Sequence, residues 1–293
     1  MITKVSILTK KRAVLLRVAL SLLSFSASAK TGVTQTIEQA QAMLVQNHRI
    51  EALNHLSTAL AASGLLPADR RRLLEVQEQI ATRFVTDAGQ KVFELAQTQL
   101  FANPQQALRR LKEAEALEPG NLAIGLATVR AHLLREACDD AQKAIDDLQV
   151  LKITNNSVAE LTLSALNCSE KYDELAKVLT RFSVSLKGSA ALIKLTQARS
   201  QLKNGETQKA LDLLREGLVL DTQFPLNLYW FWKVSQKLGE EADGRAEEYV
   251  RLCKSPTPQL RRKYLNSPEI CLRITEVEAY LKTRPAETSE RTN

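Results

Sequence analysis

The residues of this 293-residue chain with the most definite chemistry are its four cysteines, Cys138, Cys168, Cys253 and Cys271. An even number can close two disulfides, and four thiols allow three pairings. A metal site is not expected, because the chain has no CxxC and no helical HxxxH spacing. The three histidines, His48, His55 and His132, stand at no spacing to an acid or nucleophile that would make a catalytic pair. GxSxG, Walker and HExxH motifs are missing, and ten glycines are too few for phosphate-cradling loops. No cofactor is implied and no enzyme is expected. The chemistry on offer is crosslinking and non-covalent binding.

Whether thiols oxidise depends on the compartment. Residues 1–29 read as a cleavable secretory signal peptide. Lys4, Lys10, Lys11, Arg12 and Arg17 are its basic residues, the apolar run is Val18 to Phe25, and Ala27-Ser28-Ala29 is an A-x-A cleavage site before Lys30. The run is far below the ~20 residues needed to span a bilayer. No cysteine stands at the cleavage site, so no lipid anchor is expected, and no later run approaches spanning length. The expected location is periplasmic or secreted, with disulfides allowed. The formal charge of +7 includes five basic residues of the signal peptide, and removing them leaves +2. A nucleic-acid partner is therefore not expected. Arg70-Arg71-Arg72 and Arg261-Arg262-Lys263 read as solvated helix faces.

The elements that position these residues are set by a period. From Ala107, the positions Ala141, Leu175, Ala210 and Gly244 follow at gaps of 34, 34, 35 and 34 residues. A sustained period of this length marks stacked helix pairs. Ala114 lies two turns beyond Ala107 on the same face, and Pro119-Gly120-Asn121 stops the helix. Ala40, Ala52, Ala59 and Gly64 place a first pair at 33–66. The 55 residues from Ala52 to Ala107 exceed one period by 21, room for an extra helix at about 67–87 starting at Pro67. The sequence leaves open one long helix over 68–101 or two with a break near Asp87-Ala88-Gly89. Further pairs are read at about 88–121, 122–155, 156–190, 191–224 and 225–256. Asn103-Pro104 reads as a cap followed by proline in the first turn. Gly205 and Gly239 mark tight turns that need a left-handed residue. Beyond Pro256, Thr257-Pro258 and Ser267-Pro268 predict a short helix near 258–265 and a terminal one near 268–283, with a disordered tail at 284–293.

The repeat resembles the tetratricopeptide repeat over about 33–256. The match is best in 33–66 and 88–121, fair in 191–224 (Ala198, Gly205, Ala210, Gly217) and in 225–256 (Gly239, Gly244, Pro256). It departs where Leu148 and Phe182 replace the second small residue and Leu175 replaces the anchor. The resemblance implies an all-α fold, a right-handed α-solenoid of antiparallel helix pairs with C-terminal capping helices at 257–283. It also implies a concave groove lined by the first helix of each pair, where ligands are usually peptides.

Residues eleven before each anchor should face that groove: Ala96, Arg130, Ser164, Arg199 and Lys233. Tyr229 stands one turn before Lys233. A row of cations beside an aromatic suits an acidic or C-terminal peptide. Trp230, Phe231 and Trp232 are expected in the core between repeats. In the helix-pair arrangement Cys138 begins a second helix and Cys168 ends the next first helix, on the same edge, which favours pairing 138–168 and leaves 253–271. The resulting reading is a non-enzymatic protein- or peptide-binding scaffold of the bacterial cell envelope. The alternative is an envelope enzyme or a glycan binder on a helical scaffold, the latter requiring exposed indole faces near Tyr229–Trp232. The sequence sets no oligomeric state.

Overall fold

The computed structural model describes residues 32–186 and 188–283. The signal-peptide segment 1–29 and the tail 284–293 lie outside the described residues. Within them the chain is all-α, with fifteen α-helices and no strand. It divides into two compact units.

The first unit runs to Asp87 and includes Glu118–Leu122. It contains α1 (32–45), α2 (Arg49–Ala61) and α3 (Pro67–Thr82). Ala40 and Ala52 are fully buried, and Ala59 is half-buried. Pro67 opens α3, where its missing N–H costs no bond. The two-helix alternative holds beyond it, because α3 ends at Thr82 and the next helix starts at Asp87. An ion pair with no signature in the repeat pattern organises this unit. Arg49 and Glu118 meet at 2.7 Å with both side chains fully buried. Arg49 Nη1 also donates to the carbonyls of Ile80 (2.6 Å) and Arg83 (2.7 Å). Glu118 accepts from the Val85 N–H at 2.9 Å, and from the Thr86 N–H (2.6 Å) and hydroxyl (2.8 Å). Such a pair is tolerated in an interior only when most of its remaining donors and acceptors find partners.

The second unit holds five consecutive pairs: α4 (Asp87–Gln99) with α5 (Pro104–Leu117), α6 (Leu122–Leu134) with α7 (Cys138–Gln149), α8 (Asn156–Ser169) with α9 (Leu175–Arg181), α10 (Ala190–Lys203) with α11 (Thr207–Leu220), and α12 (Pro225–Leu238) with α13 (Asp243–Lys254). The small residues placed by the period are core residues of these pairs: Ala107, Ala114, Ala141, Ala198 and Ala210 are all fully buried. Asn103 caps α5 by accepting from the Gln106 N–H at 3.1 Å. Gly205 (φ +82°) and Gly239 (φ +72°) take the left-handed turns.

The departures from the pattern have local reasons. Leu148 is large where a small residue is usual, and the facing helix compensates with Gly125, where a Cβ would overlap the Leu148 side chain. At Leu175 the second helix shrinks to seven residues after a 3-10 turn at Tyr172–Glu174. Gly244 is corrected: it is exposed, and the buried small residue of that pair is Ala246, two positions on, because the turn after Gly239 is two residues longer.

The C-terminal segment comprises α14 (Pro258–Lys263), a 3-10 turn at Pro268–Cys271 and α15 (Ile274–Thr283). Thr257 caps α14 through the Leu260 N–H at 3.1 Å. Ser267 does not cap a long helix, and the terminal helix starts only at Ile274. α15 packs on α13 through the buried Val277, with Tyr229, Trp232 and Tyr249 in the same core.

Candidate functional site: the face of the first helices

Three of the predicted positions meet the C-terminal segment: Arg130 on α6 and Ser164 on α8 at Asn266, and Lys233 on α12 at Glu276. Asn266 is the centre of the contact. Arg130 Nη2 donates to its Oδ1 at 2.7 Å, and its Nδ2 donates to Glu160 Oε2 at 2.7 Å. The Ser164 hydroxyl donates to the Asn266 carbonyl at 2.9 Å and lies 3.3 Å from the Ser267 hydroxyl. Residues 264–267 thus touch both α6 and α8 through side chain and backbone.

Further contacts hold the rest of the segment. Tyr264 stacks on Phe224 with ring centroids 5.0 Å apart, and its phenol donates to Asp221 Oδ2 at 2.9 Å. Lys263 pairs with Asp221 at 2.9 Å. Arg273 pairs with Glu136, just beyond α6. Glu276 of α15 receives Lys233 and, at 3.0 Å, the Tyr229 phenol. Burial opposes ionisation of Glu276, but the Lys233 and Tyr229 hydrogen bonds outweigh it and hold its carboxyl below the usual range. Burial first, then the Glu276 bond, push the Tyr229 phenol up.

Arg130, Ser164, Arg199, Lys233 and Tyr229 each have a partner in their own chain, whereas Ala96, expected on the same face, is a buried alanine of α4. Arg130 is only 6% exposed, and burial lowers its pKa to about 10 against the raising effect of Glu160. Tyr229 is buried, and Lys233, still half-open to solvent, is neutralised by Glu276. Arg199 lies over the Trp230 ring at 4.5 Å and 3.7 Å from Glu170. The carboxylate that Lys233 and Tyr229 receive comes from α15. Trp232 is 2% exposed, in the core. Trp230 is half-buried and carries Arg199 over its ring.

Two disulfides fix the frame. Cys138–Cys168 ties the start of α7 to the end of α8, and Cys253–Cys271 ties α13 to the 3-10 turn. The second closes an 18-residue loop that contains residues 263–267.

No family model matches the chain, and no curated protein does. Two solved structures resemble part of it at 16% identity. The crystal structure of PilW, described as a widely conserved type IV pilus biogenesis factor, gives a TM-score of 0.47, covering 67% of this chain and 93% of its own. PilF of Pseudomonas aeruginosa gives 0.42, covering 66% and 88%. Likeness at this level carries nothing about partner or role.

The residues that sequence reasoning missed are Asn266, Glu269, Asp221 and Glu160. Asn266-Ser267-Pro268 carried a signal of irregular backbone, but it read as a helix cap. A period locates residues within the array; it says nothing about where a non-repetitive tail will land.

Proposed function

We propose that the protein is a non-enzymatic scaffold of the bacterial cell envelope that binds a protein or peptide partner on the face of its first helices. One observation carries this reading: the face grips a stretch of non-helical chain, 264–267, by the means used to grip a peptide. Arg130 and Glu160 clamp an amide side chain, Ser164 takes a backbone carbonyl, and Phe224 stacks an aromatic ring. The preference for acidic groups expected from Arg130, Arg199 and Lys233 has an internal counterpart in Glu276 on Lys233 and Tyr229. Because Cys271 is bridged to α13, the segment stays in place, and a partner adds beside it, at the end of α10 where Lys203 is exposed. Export to the periplasm fits two closed disulfides.

Site-specific photocrosslinking in cells tests this. A crosslinker at Lys203 on α10 should give a discrete adduct, and one at the exposed Lys209 on α11 should not. Adducts from Lys209 alone would place the partner on the second helices instead.

A further inference from the structure

Beside the C-terminal segment the second unit keeps a cavity of about 340 Å³, bordered by the ends of α6 and α8, by α10 and α12, and by the Pro268–Cys271 turn. Its polar lining is unusual in one respect. Two of its buried acceptors have no donor among the described residues: Asn167 Oδ1 and Glu269 Oε2.

The orientation of Asn167 is fixed. Thr196 spends its hydroxyl proton on the Leu192 carbonyl at 2.8 Å, so its oxygen must accept from Asn167 Nδ2 at 2.9 Å. That leaves the Asn167 oxygen as a pure acceptor on a side chain only 3% exposed. Such a group is costly unless a donor meets it.

The charges around the cavity are matched except for one. Arg273 pairs with Glu136, and Arg199 sits 3.7 Å from Glu170 and flat over Trp230. Glu269 is in no ion pair among the described residues. Burial raises its pKa to about 7, against the lowering influence of its own N–H, Arg199 and the nearby Ser164 hydroxyl. The walls between these groups are apolar, including Leu133, Leu226 and Leu272.

We infer that this cavity is a binding site for a primary ammonium group, with Glu269 and Asn167 as its acceptors and the leucines receiving the alkyl stem. A compact –NH₃⁺ carries three donors and no acceptor, which complements a floor of acceptors and one unmatched carboxylate. An alkyl stem of lysine length lies against apolar walls while its head is bonded. The ammonium belongs either to a small free amine or to the lysine of a partner protein. The site stands on the cavity alone and does not need the scaffold reading.

The test uses the full oxidised protein and the emission of Trp230 as reporter. The probes are n-butylammonium chloride, the peptide acetyl-Gly-Lys-Gly-amide and the same peptide acetylated on the lysine. At pH 8 both amine probes should give a saturable change, and the acetylated peptide should give none. Glu269→Gln should weaken binding at least tenfold at unchanged helix content, Asn167→Ala should weaken it also, and the exposed Glu241→Gln should leave it unchanged. Binding should strengthen from pH 6 to pH 8 as Glu269 ionises, since the ammonium stays charged throughout. Saturation by both probes assigns the site to amines in general, and by the lysine peptide alone to a partner's lysine; either supports the inference. No saturable change with either probe overturns it, as does equal affinity in Glu269→Gln or equal binding of the acetylated peptide.

Discussion

Arg130 and Asn266 stand 136 residues apart in sequence and meet side chain to side chain at 2.7 Å. The same Asn266 amide hands its other end to Glu160 at 2.7 Å. One neutral side chain from the C-terminal segment therefore links a nearly buried cation on α6 to an anion on α8. Charged groups with so little access to water depend on such hydrogen bonds, and the segment supplies them.

Replacing Asn266 with Ala should thus cost more than an exposed asparagine normally does. Arg130 and Glu160 would each lose a hydrogen bond in a site with little water. The expected loss is about 1–3 kcal/mol in urea unfolding, with the far-UV CD of the native state unchanged. A loss within the range of ordinary surface changes would mean that the pair is solvated in solution.

The Cys253–Cys271 bridge should be worth about 3 kcal/mol, the chain-entropy expectation for its 18-residue loop. The double change Cys253→Ser and Cys271→Ser should lower stability by that order. It should also speed tryptic cleavage at Arg261, Arg262 and Lys263, because the closed loop keeps Lys263 on Asp221 and Asn266 on α8. Cleavage at the wild-type rate would show that the side-chain contacts alone keep the segment down.

Much of this fold was legible from the sequence, and for a physical reason. A repeat array buries each helix against its sequence neighbours, so small residues such as Ala107, Ala114 and Ala210 mark crossings wherever the period puts them. The disulfide pairing followed from the same geometry. Leu148 looked like a defect because its compensation, Gly125, lies on the facing helix and outside the periodic position. Gly244 misled because the period was carried across a turn with two extra residues. What meets Arg130 and Lys233 was not legible, because Asn266 and Glu276 belong to no repeat, and their partners lie 136 and 43 residues away. Arg49 and Glu118 escaped for the same reason, as two charges that look solvated until the turns around them close.

That pair gives a sharp prediction for the first unit. Changing Glu118 to Gln leaves Arg49 buried without its countercharge and weakens the hold on the Val85 and Thr86 amides. Breaking one partner of a buried pair costs about 3–5 kcal/mol. Thermal unfolding followed by CD should show a large loss. A small one would indicate that water reaches Arg49 readily.

Glu269 makes stability depend on pH in an unusual direction. Its carboxyl titrates at about 7 in the folded chain, raised mainly by burial, and near 4.5 when unfolded. Between those values the folded state holds a proton that the unfolded state has released, so this group's contribution favours folding at low pH and is lost as pH rises from about 5 to about 7. The loss is on the order of 1–3 kcal/mol. Comparing urea midpoints at pH 5 and pH 8, Glu269→Gln should be relatively more stable than wild type at pH 8 and nearly equal at pH 5. The same difference at both values would contradict the shifted titration.

The most direct measurement of whether the first-helix face grips a peptide is hydrogen exchange over residues 258–270 in the oxidised protein. Beyond the short α14 the amides of Ser267 and Ile270 donate only to the nearby carbonyls of Tyr264 and Ser267, and isolated single-turn bonds of this kind stay closed only while the segment is docked on α6 and α8. The account predicts slow exchange at Ser267 and Ile270 in the wild type. It predicts faster exchange there in Asn266→Ala and after reduction, with α8 and α10 still protected. Exchange at the rate of an unstructured peptide in the oxidised wild type, beside protected α8 and α10, would contradict it.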